Sequence, residues 1–400
     1  MDIVLAVRRE TKNLLGEGRG KVLAPVALGW GLLIGTRMIY PVMLPHLRRA
    51  FDLNLTTAGF LVTILWLGSA LGQLPSGILT DRYSERSVMI AGALAVTGAL
   101  TVVILAPTSL VLFVATGFVG LGLSLYPIPR ITILTDTYPD RLGSALGVTM
   151  ATGDIGQTVF PPLAGVLAVA FAWQAGFGFM IPLLVVITVT LWLMLPRPSP
   201  EATDGTGVSS ERFRYVLAEL RKPSLVFMTV VLFLFIFIWQ TFSAFYPVYL
   251  AEQKGLSDPV AGGIFGLFFA FGVFVKPLSG TAYDRIGMRR SLVIILLGPV
   301  VGLGLLPFVE GFWLLVGITA LISTMLGTGA VTQSYLSEAF PEDMRGTGLG
   351  AVRTTAATLG ALGPVLFGMI ADRGFFDEGY LLLAVIMVVV ILLTLRMPET

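Results

Sequence analysis

The sequence predicts an all-α membrane protein in which twelve transmembrane helices form two six-helix bundles related by internal duplication. Three observations predict this fold. Hydrophobic residues make up 55% of the chain and charged residues only 12%, about half the charged share of an average soluble protein. The apolar residues fall in long uncharged runs, such as 292–308 and 381–395, and not in the alternating pattern of β-strands. Sequence landmarks also recur at one constant spacing.

The duplication is clearest in a motif that closes one apolar stretch in each half. The first copy runs from Gly77 through Asp81 to Arg86, and the second begins at Gly280, 203 residues later, and continues through Asp284. Further pairs keep this spacing: Ala58-Gly59 with Ala261-Gly262, Gly143 with Gly346, Gly147 with Gly350, and Pro161 with Pro364. A spacing preserved at so many positions indicates a duplicated membrane-embedded unit.

Each helix is predicted from an apolar stretch long enough to cross the bilayer, which takes about 20 residues. The first six stretches are 22–45, 57–80, 87–106, 109–134, 143–168 and 173–195. The second six are 224–250, 259–282, 289–309, 312–338, 346–371 and 377–397. Residues 196–223 are rich in Ser, Pro, Gly and charge and are predicted to be a cytoplasmic linker. The predicted domains are therefore 1–195, the linker 196–223, and 224–400.

The basic residues predict the orientation, because Lys and Arg accumulate in cytoplasmic loops. With the N-terminus inside, the inner loops and termini hold 18 basic residues and the outer loops hold four: Arg48, Arg49, Lys254 and Arg373. Both termini are expected in the cytoplasm, and the chain is expected to be a multi-pass protein of the cell membrane. The first helix follows a basic segment that has no small-residue cleavage site, so it is expected to stay in the protein.

The motifs resemble the signatures of the major facilitator superfamily, and the resemblance covers essentially the whole chain. The signature after the second helix, Gly-x-Leu-x-Asp-Arg-x-Gly-Arg-Arg, matches at five positions: Gly77, Leu79, Asp81, Arg82 and Arg86. Ser84 and Glu85 depart from it, whereas the second copy is nearly complete. A Pro-acid-Arg-Gly turn precedes helices five and eleven, at 139–143 and 341–346. The resemblance implies transport by alternating access, with two halves rocking about a midplane site.

The repeated motif is expected to close the cytoplasmic side. Its glycines allow close helix approach, and Asp81 or Asp284 can face the positive N-terminus of a neighbouring helix. The resemblance implies that Arg82 and Arg86 bridge to Asp136. The expected gating residues are Gly77, Asp81, Arg82, Arg86, Asp136, Gly280, Asp284, Arg285, Arg289 and Arg353.

Ionisable residues within the spans indicate the binding site, since each costs roughly 2.5–3.5 kcal/mol in the bilayer. Asp154 is expected near the midplane and is the candidate proton-coupling residue. Arg37 and Lys276, one cation from each half, are expected to converge on an anionic substrate. Lys276-Pro277 is similar to the cation-Pro element of monocarboxylate and oxalate/formate carriers. The alternative is that Arg37 pairs with Asp154 as a structural ion pair.

Polar interruptions in aromatic helices complete the predicted substrate site. Its residues are Arg37, Tyr40, Gln240, Ser243, Tyr246 and Lys276. Tyr246-Pro-Val repeats the Tyr40-Pro-Val of the first helix, and aligning the two puts Ser243 at the position that Arg37 holds in the first half. Thr116 stands where many proton-coupled relatives carry Arg. The only histidine, His46, is predicted at the surface.

The predicted function is secondary active transport of a small organic solute, with an organic anion or carboxylate favoured and protons as the coupling ion. The alternative is an efflux antiporter for hydrophobic drug-like or lipid compounds, and a receptor on the same fold is a third interpretation. No catalytic constellation, metal site or phosphate-binding loop is evident, so an enzyme or a pump driven by ATP is not expected. No cofactor is expected, and the protein is predicted to be a monomer.

Overall fold

The computed structural model describes residues 19–196, 223–339 and 345–396, and these residues are mostly helical. The first half (residues 19–196) contains α1 Gly20–Phe51, α2 Leu55–Leu71, α3 Gln73–Tyr83, α4 Glu85–Ile104, α5 Ser109–Ser124, α6 Pro127–Thr137, α7 Leu142–Ala170, α8 Trp173–Gly178 and α9 Met180–Met194. The second half (residues 223–396) contains α10 Pro223–Glu252, α11 Asp258–Leu305, α12 Phe312–Ser323, α13 Thr328–Ala339, α14 Arg345–Gly360, α15 Gly363–Ala371 and α16 Phe376–Leu395.

These helices account for the twelve predicted spans. Nine described helical segments are long and apolar enough to cross a membrane, and the bent pair Leu55–Leu71 and Pro75–Tyr83 adds a tenth. One of the nine, Asp258–Phe308, contains non-helical backbone at Gly287 and corresponds to two predicted stretches. The remaining stretch is α7, which has 29 residues and is less apolar. The predicted all-α fold class is confirmed, whereas the linker 196–223 lies almost wholly outside the described residues.

Small residues set the depth at which the helices meet. α1 packs along α7 through glycines, and a Cβ atom added to Gly156 would lie 2.1 Å from the carbonyl oxygen of Gly31. Gly35 would likewise collide with Phe160 of α7. Close packing of this kind is typical of membrane helices, where no hydrophobic driving force brings apolar surfaces together. This packing fixes the height of Asp154 on α7 relative to the residues of α1.

The helices run between two ends of the molecule, which we name by their residues. The motif end carries Asp81 and Asp284, and the far end carries Asp258 and Asp372. α1 and α10 run from the motif end to the far end, and α2 runs in the opposite direction. The charged residues within the spans lie between these two ends.

The turn between α3 and α4 contains a strained residue, Ser84, at a position where the motif has a glycine. Gly287 has φ 76° and ψ 172°, and its counterpart Ser84 has φ 106° and ψ 154°. This region is essentially restricted to glycine, and other residues pay roughly 1–3 kcal/mol to occupy it. The departure from the family signature at Ser84 is therefore a strained position.

Ser84→Gly is expected to stabilise the protein by up to about 1 kcal/mol, because relief of strain exceeds the few tenths that glycine costs as a helix cap. Ser84→Ala keeps the strained backbone and loses the cap on the Ser87 amide, 3.3 Å away, and is expected to destabilise it. Thermal unfolding of the two variants in the same detergent checks this. A lower melting temperature for Ser84→Gly than for Ser84→Ala would contradict it.

Candidate functional site

The centre of the interface between the halves is an ion pair. Lys276 Nζ on α11 lies 2.5 Å from Asp154 Oδ1 on α7. Gln157 Nε2 lies 3.3 Å from the same oxygen. The Asp154 side chain is 11% exposed and the Lys276 side chain 29%, so the lysine is the more accessible partner. The two residues expected to bind a proton and a substrate anion are thus bound to each other.

Arg37 does not pair with Asp154, so the structure does not contain the Arg37–Asp154 ion pair that was the alternative prediction. Its guanidinium carbon lies 4.4 Å from the ring centroid of Trp66 on α2, a cation–π contact. Its Nε is buried and has no hydrogen-bond partner. Trp30 of α1 packs beside Gly153, so Arg37 stands seven residues, or about 10 Å, farther along α1. The cation of the first half therefore lies closer to the far end than Asp154 does.

Trp66 connects this arginine to the second half. Its ring makes an edge-to-face contact with Trp239 of α10, with ring centroids 5.1 Å apart and an interplanar angle of 69°. Trp66 is 5% exposed, and the indole Nε1 of Trp239 is buried without a hydrogen-bond partner. Arg37, Trp66 and Trp239 thus form a continuous contact across the interface, which we call the Arg–Trp–Trp layer.

Two further predicted substrate ligands are buried with unused hydrogen-bonding atoms. They are Ser243, through its hydroxyl, and Gln240, through its Oε1.

Tyr40 and Tyr246 each pack within their own half. The Tyr40 ring makes an edge-to-face contact with Phe177, and its hydroxyl bonds the Thr116 hydroxyl. The Tyr246 hydroxyl lies 2.6 Å from Thr319 Oγ1, and its ring stacks on Phe242. The structure therefore places both tyrosines in the packing of their own halves and not at the interface, which corrects the sequence-based prediction for these residues.

The charge balance at mid-depth is positive. Arg130 of α6 is buried, donates to Thr149 Oγ1 at 2.9 Å and lies over Trp30 at 3.9 Å. Arg353 of α14 donates to Gln333 Oε1 at 3.1 Å. Among the described residues, Asp154 is the one carboxylate that lies away from the ends of the spans. Its charge is matched by Lys276, so the remaining cations favour an anion.

The far end is closed by contacts between the halves. Asp372, at the end of α15, accepts hydrogen bonds from the backbone amides of Leu55 and Thr56, both at 2.7 Å, and from the Thr56 hydroxyl. This carboxylate caps the N-terminus of α2, where the helix dipole favours negative charge. Below it, a Cβ on Gly59 would lie 2.3 Å from the Pro364 carbonyl oxygen, so α2 and α15 touch backbone to backbone.

A charged cluster closes the other corner of the far end. Arg49 Nη2 lies 2.6 Å from Asp258 Oδ2, and Arg48 pairs with Glu252. The His46 Nε2 atom lies 3.2 Å from the same Asp258 oxygen, and its side chain is 12% exposed. The prediction that His46 lies at the surface is therefore wrong, because the second half covers it.

At the motif end, the bridges expected from Arg82 and Arg86 to Asp136 are not formed among the described residues. Asp81 and Asp136 are exposed, and neither Arg82 nor Arg86 reaches Asp136. Arg86 bonds the Trp192 carbonyl, and Arg82 lies over Tyr83.

The other motif-end residues agree with this picture. A Cβ atom added to Gly77 would lie 3.7 Å from its nearest neighbour, the Ile128 side chain. A Cβ atom added to Gly280 would have no described atom within 4 Å. Asp284 and Arg285 are exposed. Among the residues that the structure describes, the motif glycines therefore do not make the expected close approach to a neighbouring helix.

Sequence reasoning missed two features that hold the halves together. Asp372 lies in a loop region and resembles any solvated acid in sequence, and its partner is 317 residues away. Trp66 and Trp239 belong to strongly apolar helices, in which a tryptophan gives no separate signal. Both contacts depend on how the two halves meet.

Comparisons with known proteins agree with the geometry. The sequence profile described as Major Facilitator Superfamily matches residues 26–361 and 277–400. The chain is 22% identical over 377 residues to the hexuronate transporter of Bacillus subtilis, and 23% identical over 360 residues to the cis,cis-muconate transport protein of Acinetobacter baylyi. Each match covers 86% of both chains.

A solved structure has the same fold. It is a bacterial homologue of the human lysosomal transporter Spinster, in an inward-facing and unoccupied conformation. It superposes with a TM-score of 0.78 at 16% identity, covering 95% of this chain and 97% of the other.

Proposed function

The chain belongs to the Major Facilitator Superfamily, and on this premise we propose that it carries a small organic anion, with a carboxylate favoured, together with protons across the cell membrane. The family and the two related transporters make it a membrane-embedded secondary transporter of a small molecule, not an enzyme. The anion, the coupling ion, the orientation and a monomeric state are parts of the proposal.

The observation that carries the proposal is the unequal number of charges at the interface between the halves. Arg37 from the first half and Lys276 from the second reach this interface, and Asp154 is the one acid at mid-depth among the residues described. Because Asp154 neutralises a single cation, an uncharged or cationic substrate would leave the arginine without a counter-ion in a poorly solvated site. The hexuronate and muconate relatives carry anionic substrates by name.

The Lys276–Asp154 pair supplies a route to proton coupling. Protonation of Asp154 removes its charge and releases the lysine, which is then free to bind a substrate carboxylate. Conversely, an anion bound to Lys276 competes with Asp154 and favours its protonation. Proton and anion binding are therefore cooperative, as linkage requires, and the two are carried in the same direction.

We assign the motif end and both termini to the cytoplasm, following the distribution of basic residues. With this orientation, the closed far end and the missing bridges from Arg82 and Arg86 to Asp136 support an inward-facing state. In the outward-facing state, Asp81, Arg82, Arg86 and Asp136 would come together with the second-half motif of Asp284, Arg285 and Arg289. Arg353 would take part in this closure.

Carboxylates are expected to stabilise the purified protein against heat, and hydrophobic cations are not. Arg37→Gln should weaken carboxylate binding by roughly 10- to 100-fold, because a charge-assisted hydrogen bond contributes about 1.5–3 kcal/mol. The measurement is the concentration of each compound that gives half the maximal thermal shift.

Lys254→Gln is the matched control for the loss of one positive charge. Lys254 bonds the Pro307 carbonyl at the far end, 2.7 Å away, and remains outside the interface. Stabilisation by hydrophobic cations, with no response to any carboxylate, would favour efflux of drug-like compounds and overturn the proposal.

A further inference from the structure

His46 lies between charged groups of the two halves at the far end. It is the only histidine in the chain, and its side chain is 12% exposed. It belongs to the last two turns of α1, and the second half meets it where α11 begins at Asp258. A histidine is the side chain whose charge ordinarily changes between about pH 5 and 8. The far-end closure therefore contains one group that can respond to protons in this range.

The two ring nitrogens of His46 face groups of opposite charge. Nε2 lies 3.2 Å from Asp258 Oδ2, without the geometry of a hydrogen bond. Nδ1 lies 3.4 Å from Arg49 Nη2, which also lies 2.6 Å from the same Asp258 oxygen. An imidazole nitrogen can accept a hydrogen bond from a guanidinium only while that nitrogen carries no proton. The closed arrangement therefore fits the neutral ring.

The charges around His46 do not favour a proton on its ring. Arg49 already neutralises Asp258, and Glu252 at the end of α10 pairs with Arg48. The far-end parts of α2, α4, α7, α8 and α9 carry no ionisable side chain. A protonated ring would place a second cation beside Arg49, and burial also disfavours the charged form. The closed far end is therefore a poor environment for an imidazolium.

We infer that His46 is a proton-binding group whose protonation opens the far end. When the halves separate there, α11 carries Asp258 away from α1, and water reaches the ring. The imidazolium is then solvated, and Asp258 no longer holds Arg49 against it. A proton thus binds the open end more tightly than the closed end, and linkage requires that protons favour opening.

This inference concerns the far-end closure and holds for any substrate. In the orientation proposed above, the far end faces the outside of the cell. Acidification of the outside would then expose the central site to the side from which the protons come. His46 would act before Asp154, because it lies at the entrance and not beside the substrate.

The experiment measures the opening of the far end by the distance between two spin labels. Because the chain contains no cysteine, the labels can be attached at Pro107→Cys and Glu310→Cys, in exposed far-end loops of the first and second halves. The measurements use the Asp154→Asn protein without substrate, so that the proposed coupling carboxylate cannot contribute. Acidification from about pH 8 to about pH 5.5 should raise the ratio of long to short distances about 10-fold, which corresponds to one pH unit of difference in proton affinity.

Four further variants of the labelled protein test the part of each group. His46→Gln stays neutral and should keep the short distance at both pH values, whereas His46→Lys stays charged and should keep the long one. Arg49→Gln should reverse the response, because a protonated His46 is then the cation beside Asp258 and holds the end closed. Arg48→Gln is the matched control, since Arg48 pairs with Glu252, and it should respond to acid as the labelled Asp154→Asn protein does.

Three results would overturn the inference. Acid leaves the distance ratio unchanged or lowers it while His46 is present, the rise persists in His46→Gln, or Arg49→Gln responds to acid as Arg48→Gln does. None of these results depends on the substrate, because the measurement is made without one. Failure of the proposed function would appear separately, as a lack of stabilisation of the purified protein by carboxylates.

Discussion

Asp154→Asn is expected to abolish concentrative transport while the protein still exchanges substrate across the membrane. The asparagine cannot carry a proton, but it keeps the shape of the side chain and leaves Lys276 free to bind the anion at all times. Alternating access then continues without coupling to the pH gradient, so substrate equilibrates and does not accumulate. A loss of all accumulation is the largest functional effect expected from any single substitution in this chain.

The measurement uses proteoliposomes with an imposed pH gradient, and it compares net accumulation with counterflow of a labelled carboxylate that stabilises the purified protein. Lys276→Met tests whether the pair is merely structural. That variant leaves a carboxylate buried without its cation, which typically costs about 3–5 kcal/mol, and it should be less stable than Asp154→Asn. If the double variant Asp154→Asn with Lys276→Met transports and accumulates like the parent, the pair has only a structural role. Accumulation by Asp154→Asn alone would also exclude it as the coupling residue.

Asp372→Asn is expected to shift the protein from the inward-facing towards the outward-facing state by roughly 30-fold, equivalent to about 2 kcal/mol. The carboxylate accepts three hydrogen bonds at the start of α2, two from backbone amides. The neutral amide keeps the size of the side chain, but it loses the charge that the helix N-terminus favours and one of its acceptor oxygens. The far-end contact should weaken, whereas the folding of each half is unaffected.

The chain contains no cysteine, so single cysteines can be introduced at both ends and their labelling rates compared directly. Asp372→Asn should speed labelling at the far end and slow it at the motif end. Asp377→Asn is the matched control, because that carboxylate bonds Tyr249 at 2.5 Å within the second half. Asp81→Asn should act in the opposite direction by weakening the closed motif end. Equal labelling of Asp372→Asn and the parent would show that Asp372 does not hold the far end closed.

The sequence by itself determined the fold and the positions of the charges along the spans. Apolar runs, the spacing of 203 residues and the two motifs are local properties of the chain, and membrane insertion responds to such properties one segment at a time. The sequence also singled out Arg37, Asp154 and Lys276, because an ionisable residue in an apolar helix is conspicuous wherever the helix is placed. The strain at Ser84 was visible only as a departure from a glycine signature.

Only the tertiary structure decided which of these groups meet. Asp154 pairs with Lys276, 122 residues away, and not with Arg37, because the packing of Gly156 on Gly31 fixes the level of α7 against α1. Trp66 meets Trp239, and Asp372 reaches α2, because the halves are closed at the far end. Tyr246 bonds Thr319 in the second half for the same kind of reason. Depth and rotation of one helix against another are set by contacts between distant segments, and no local pattern in the sequence records them.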